Sequence, residues 1–294
     1  MVAADADLRA WIGRSETASE RMDPGRAQAL DAALDRSGPP IEDGDELPPL
    51  RHWLYFWPCA ASSGLGRDGH PLPGGFLPDV GAARRMWAGG RLRFEAPLIA
   101  GAQVRRTSTI ASVSEKAGRS GRLVFVTVRH DFEMPAGLAL VEEQDIVYRQ
   151  QHGDPPAPHG DDGADAPAPG PPAAPIAANA ACGQPMRADP VLLFRYSALT
   201  FNAHRIHYDR DYATGVEGYA GLVVHGPLLA TLLIDAVRAA WPAETLRSFA
   251  FRGLRPVIDG ALFTINARRD GPAADAWIET ADRQAAMRAR AVLG

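Results

Sequence analysis

Apolar positions change their spacing from one segment of this chain to the next. In "RLVFVTVRHDF", residues 122–132, Val124, Val126 and Val128 share one face while Phe125, Thr127 and Arg129 point the other way. That is the two-residue period of a strand. "AQVRRTSTIASVSEK" before it and "LALVEEQDIVYRQ" after it read as further strands, so a meander is expected. Other segments carry helical signals. "DPGRAQALDAALDR" offers Asp23 as N-cap and Pro24 at the first helical position. "PDVGAARRMWAGG" lies between Asp79 and the glycines at 89 and 90, which predicts a helix. "HWLYFWP", residues 52–58, is aromatic and strand-like. The first part therefore reads as strand, helix, meander.

The later part repeats that order. "PVLLFRYSAL" predicts a strand. "GPLLATLLIDAVRAAW", residues 226–241, predicts a helix whose polar residues Thr231, Asp235 and Arg238 form one narrow stripe on an apolar cylinder. A helix apolar nearly all round must be buried nearly all round. Four strand candidates follow: "LRSFAFRGLRPV", "ALFTINARRDG", "AADAWIETAD" and "AAMRARAVLG". Residues 150–185 are rich in Pro, Ala, Gly and Asp, with almost no large apolar side chain, and read as a linker. The expected organisation is an N-terminal domain (1–149), this linker, and a C-terminal domain (186–294). The expected class is α+β: a curved antiparallel sheet wrapped around a central helix, present twice without sequence identity between the halves.

Composition narrows the function. At 294 residues and 46% hydrophobic, the chain can bury a large core. The net charge of −4 and the lack of a basic block argue against nucleic acid as partner. His225 and Asp235 interrupt the longest apolar stretch, so no membrane span is expected. Cys59 and Cys182 form no C-x-x-C pair, in keeping with a reducing, cytoplasmic setting.

Candidate chemistry concentrates in "TFNAHRIHYD", residues 200–209. His207 can trade protons near neutral pH. The helix opening at Gly226-Pro227 presents free backbone N–H groups to a developing oxyanion. Arg252 and Arg255, three apart in an expected strand, would face opposite ways, and one could hold an anionic group. Arg84 and Arg85 are equally ambiguous. His204, His207 and Asp209 have a spacing that could ligate a metal. Arg205 lies among them and no further ligand cluster is evident, so no metal is expected.

At these residues the chain resembles the MaoC-like hot-dog hydratases and dehydratases, which act on enoyl-thioesters. The residues concerned are "SALTFNAHRIHYDRDYA" followed by "GYAGLVVHGPLLATLL". The motif histidine of that class falls on His207, its trailing aspartate on Asp209, and its His-Gly pair on His225 and Gly226. The catalytic aspartate falls on Asn202, the motif asparagine on His204 and its proline on Arg205. This variant, with "PDVGAARRMWAGGRLRF", is similar to a narrower group. That group contains the mesaconyl-C4-CoA (3-methylfumaryl-CoA) hydratases, itaconyl-CoA hydratases and 3-hydroxyacyl-thioester dehydratases. The resemblance implies a double hot-dog and a hydro-lyase acting on an acyl-CoA, without cofactor, as a homodimer or pseudo-dimeric monomer. It implies His207 as base, Gly226 as oxyanion donor and Asn202 as a group that orients water. His204, Arg205, Asp209, His225, Arg252 and Arg255 are the expected substrate contacts, with an arginine pairing a substrate carboxylate. The first half is expected to be structural, completing the double hot-dog and shaping the acyl-CoA groove. Fatty 3-hydroxyacyl-thioester dehydration, thioester hydrolysis and non-catalytic acyl-CoA binding are the rival activities.

Overall fold

A computed structural model describes residues 8–81, 83–118, 121–150 and 182–294. Among them, ten strands form one antiparallel sheet. Strands β1 (Ser15–Arg21), β2 (Ala83–Phe94), β3 (Gln103–Gly118), β4 (Gly121–Met134) and β5 (Gly137–Gln150) come from the first half. Strands β6 (Cys182–Arg187), β7 (Leu246–Gly253), β8 (Leu262–Asp270), β9 (Ala273–Thr280) and β10 (Ala285–Leu293) come from the second. Their order across the sheet is β1-β3-β4-β5-β2-β7-β10-β9-β8-β6. Each half thus lays down its strands in the same order, and the two copies meet edge to edge at β2 and β7. The repeat expected from pattern alone is one of topology.

The seam between the halves depends on a glycine. Gly89 and Gly90 of β2 lie opposite Arg252 and Phe251 of β7. A β-carbon on Gly89 would come within 2.4 Å of the Phe251 carbonyl oxygen, so only glycine allows this approach. These glycines therefore join two strands and do not end a helix. The helix expected over "PDVGAARRMWAGG" is corrected to strand: residues 83–94 form β2, paired with β5 along its length and with β7 over its second half.

Two further expectations change. "PVLLFRYSAL" forms helix α2 (Pro190–Thr200) because Asp189 accepts the Leu192 N–H at 2.8 Å and Pro190 opens the first turn. "HWLYFWP" is a one-turn 3-10 helix (Arg51–Leu54) running into irregular chain. The strand roles fall to β1 and to β6, whose residues 182–185 had been assigned to the linker. The rest of that linker, 151–181, lies outside the described residues. Helix α1 (Pro24–Ala33) forms where expected, with Asp23 accepting the Gly25 N–H at 2.7 Å. It packs on α2 and on the 51–54 turn.

The long helix α4 (Gly226–Ala240) follows the short α3 (Arg210–Gly215) and packs against β7, β8, β9 and β10. Nine of its fifteen residues are buried, which explains its near-continuous apolar run. Asp235 of its polar stripe meets the first half of the chain. Asp235 pairs with Arg51 (3.1 Å) and Arg36 (3.2 Å), and Arg51 also holds Asp31 of α1 at 2.7 Å. Burial pulls the Arg51 pKa down, but Asp235 and Asp31 more than offset this and raise it. With the Arg51 side chain only 3% exposed, this pair ties the halves together in the interior. No helix among the described residues is long and apolar enough to cross a membrane. Arg51→Met leaves Asp235 with Arg36 alone and should lower stability by up to about 3 kcal/mol, read as a fall in the urea midpoint. An unchanged midpoint would show that the bridge contributes nothing.

Candidate active site

The stretch 200–209 owes its shape to local chemistry. Phe201 closes α2 in the left-handed region (φ 51°). Asn202 Oδ1 then accepts the His204 N–H at 3.0 Å, which turns the chain. Arg205–His207 make one 3-10 turn, and Asp209 caps α3 by accepting the Tyr212 N–H at 3.0 Å. This path runs along a cleft of about 770 Å³ between the halves, with Asn202, His204, His207, Gly226 and Arg255 in its wall.

His207 is buried, and its Nδ1–H donates to the Val223 carbonyl at 2.7 Å. That bond leaves Nε2 as the nitrogen with the free lone pair. Burial pushes the His207 pKa down to about 4, against the opposing pull of the Val223 bond. The ring is therefore neutral and basic at pH 7. Behind it His225 stacks at 3.7 Å and bonds Ser197 at 2.8 Å. Burial, then the nearby His207 and His204, hold His225 well below its ordinary value. The Gly226 N–H at the head of α4 finds no acceptor among the described residues.

The first half contributes side chains to this site. The loop after the 3-10 turn Ser62–Gly64 brings Asp68 and His70 to the cleft. His70 Nδ1–H donates to Asp68 Oδ2 at 2.8 Å, and the His70 ring lies 4.1 Å from that of His204. The Arg205 N–H donates to the Asp68 carbonyl at 2.9 Å. Gly69 (φ +90°) makes this docking possible, since a β-carbon there would lie 1.9 Å from the Ala203 carbonyl oxygen. Burial raises the Asp68 pKa, but the hydrogen bonds and charge of His70 pull it down to about 2. Burial, then His70 and His207, push His204 down to about 2. His70, His204, His207 and His225 thus form one row of rings, of which the sequence offered three.

Other expected contacts fall elsewhere. Arg205 and Asp209 pair with each other at 2.7 Å outside the cleft wall. Arg205 also lies over the Tyr212 ring at 4.2 Å. Both hold the turn, and neither lines the cleft. His225 is fully buried behind His207 and does not reach the cleft. Arg252 is exposed on β7 away from it. Arg255 does line the cleft, but in the bend after β7, with Asp282 at 3.6 Å. The His204–His207–Asp209 metal set does not assemble. The group that does, Asp68, His70 and His204, has its ligand atoms within 4.8 Å. It is already bridged by the Asp68–His70 bond, and the positive charge of Arg85 bears on both histidines.

Comparison with known proteins gives the family. The family model described as "Hydroxyacyl-thioester dehydratase type 2" matches residues 50–259. The chain belongs to this family. The mesaconyl-C(4)-CoA hydratase of Chloroflexus aurantiacus is 44% identical over 292 residues, covering 99% of each chain. Two solved structures share the fold. A MaoC-like dehydratase from Phytophthora capsici aligns with a TM-score of 0.68 at 14% identity, over 98% of this chain and 97% of that one. A conserved hypothetical protein of Mycobacterium tuberculosis with a double hot-dog fold aligns with a TM-score of 0.55 at 15% identity, over 96% of each. The α+β double hot-dog is therefore the architecture of this family member, with the histidine row at the junction of its halves.

The histidine row makes stability depend on pH. His207 is held near 4 and His204 near 2, against about 6.5 in the unfolded chain. The unfolded state then binds more protons as pH falls below about 6.5, so stability drops from there downward. Thermal midpoints should decline steadily between pH 6.5 and 4. A double substitution, His204→Gln with His207→Gln, should flatten that decline, and an unaltered slope would sink this account.

Proposed function

We propose that this protein is a hydro-lyase that adds water reversibly to the C=C bond of an enoyl-CoA thioester. Its acyl group is a branched dicarboxylic one, as in mesaconyl-C4-CoA or itaconyl-CoA. The observation that carries this reading is the Nδ1–H bond of His207 to Val223, which leaves a neutral Nε2 in a cleft shared with the unpaired Gly226 N–H. The relative 44% identical over the full length is named for mesaconyl-C4-CoA, which supports the substrate class.

The steps follow from those groups. His207 Nε2 takes a proton from water while the hydroxide oxygen bonds the β-carbon. Electrons shift onto the thioester oxygen, where the Gly226 N–H and the positive end of α4 stabilise them. The protonated His207 then returns its proton to the α-carbon, and the ring is neutral again. Asn202 cannot act as a base. Its Oδ1 is committed to the His204 N–H, so its Nδ2 is the group left to hold the water oxygen. The reaction draws on no metal or organic cofactor. We assign the protein to the cytoplasm, as a pseudo-dimeric monomer or a homodimer.

An enoyl-CoA panel of crotonyl, mesaconyl-C1, mesaconyl-C4 and itaconyl thioesters tests the assignment. Loss of the conjugated enoyl-thioester absorbance without free thiol is the expected signal, and thiol release would indicate a thioesterase. A preference for crotonyl-CoA would favour a fatty 3-hydroxyacyl-thioester dehydratase. His207→Ala should lower turnover by roughly 10²–10⁴-fold. The acid limb of kcat/KM should sit near 4, because His207 is a base only above that value. In a separate measurement, exhaustive chelation should leave turnover unchanged. Loss restored by a divalent metal would instead give the Asp68–His70–His204 group a ligand role.

A further inference from the structure

A second cavity of about 250 Å³ adjoins the cleft, and its lining mixes aromatic rings with polar side chains. It is bounded by His52, Arg106, His130 and Glu142, and by Asn202 and Pro227, which also belong to the cleft. The sheet register builds it: Ser108 of β3 lies opposite His130 of β4, which lies opposite Glu142 of β5, with Arg106 opposite Phe132 one row along. Among its aromatic walls, His52, Arg106, His130 and Glu142 supply titratable groups.

The charges in this chamber are unequally satisfied. Glu142 accepts from His52 Nε2 (2.9 Å), Trp53 Nε1 (2.8 Å) and Gln144 Nε2 (2.9 Å). Although burial pushes its pKa up, these bonds bring the carboxyl down to about 2. Arg106 has no such set. Its Nε is buried without a hydrogen-bond partner. Its one ion pair among the described residues is with the half-exposed Glu16, at 3.8 Å. Its guanidinium lies 5.0 Å over the Phe56 ring. Burial lowers its pKa, and neighbouring carboxylates only partly compensate. A buried guanidinium N–H without an acceptor is costly unless a ligand supplies one.

The reacting geometry points the same way. In a dicarboxylic enoyl-thioester such as mesaconyl-C4-CoA, the free carboxylate sits across the double bond from the thioester. With the thioester carbonyl at Gly226 and the double bond beside His207 and Asn202, the next atoms enter the chamber that opens at Asn202 and Pro227. Among the cleft's own arginines, Arg84 is taken by Glu217 at 2.6 Å and Arg255 by Asp282.

Resting on the hydratase reading above, we propose that Arg106 binds the free carboxylate of the acyl group, so that the chamber beside the cleft selects a dicarboxylic substrate.

The test uses the full chain and compares kcat/KM for mesaconyl-C4-CoA with that for crotonyl-CoA. Arg106→Met should lower the mesaconyl-to-crotonyl ratio by roughly 100-fold, chiefly through KM. Arg106→Lys, which keeps the charge, should recover part of it. Arg106→Gln carries the same test should the methionine variant not fold. Arg85→Met, which removes the cleft arginine that has no partner, should keep a ratio near that of the wild type. An unchanged ratio in the Arg106 variants, an equal loss on both substrates, or a collapse confined to Arg85→Met overturns the assignment of Arg106. So does a wild type that prefers crotonyl-CoA. A wild type that hydrates neither thioester removes the hydratase reading itself, which distinguishes the two failures.

Discussion

The close approach of β2 to β7 at Gly89 is the constraint on which the rest depends. It makes one sheet of two half-sheets and so puts two structural repeats in fixed relation. Everything in the cleft is referred to that seam. Trp87 and Ala88 just before Gly89, and Gly253 to Arg255 just after the paired part of β7, form part of its wall. The buried Arg51–Asp235 bridge fixes the same relation from the other side of the core, between the first half and α4. A site assembled from both halves needs such rigidity, because a shift of about 1 Å in a reacting group is costly.

Within that frame the site works by keeping histidines neutral. Four rings lie edge to face or stacked in a row, and protonating any one would raise the cost of protonating its neighbours. Burial and mutual proximity therefore act together, and the result is an imidazole lone pair available at neutral pH. In the wider MaoC-like pattern an aspartate stands where this chain has Asn202. Here the ionised carboxylate nearest the row is Asp68, supplied by the other half and hydrogen-bonded to His70. Burial is the largest influence on His207, with the Val223 bond opposing it and His70 adding to it.

Much of this was legible in the sequence where short-range chemistry decides the outcome. The three-strand meander, α4 with its single polar stripe and α1 with its Asp-Pro start all follow from local period and capping. The errors share a cause. Residues 83–94 carry helix-like small and basic residues, but pairing on both edges overrides that preference, and glycines that resemble a helix stop serve a close strand contact. Residues 190–199 are apolar enough for a strand, yet Asp189 and Pro190 form the same N-terminal signature credited at Asp23 and Pro24. The Asp68–His70 contribution was not legible, since it depends on a loop docking some 130 residues away in sequence.

One signal for the polar chamber was present and was followed too briefly. The alternation that places Val124, Val126 and Val128 on the inner face continues to His130. The same inner faces carry Ser108 and Glu142 on the neighbouring strands, all of them buried. Buried polar residues in register across three strands cost folding energy unless they are satisfied. A chain that only needed a scaffold would fill those positions as it fills Val124 and Val126, with apolar side chains. Glu142 has its partners, and the Arg106 Nε does not. An unmet donor therefore lies in a chamber that shares Asn202 and Pro227 with the cleft, where a carboxylate would satisfy it.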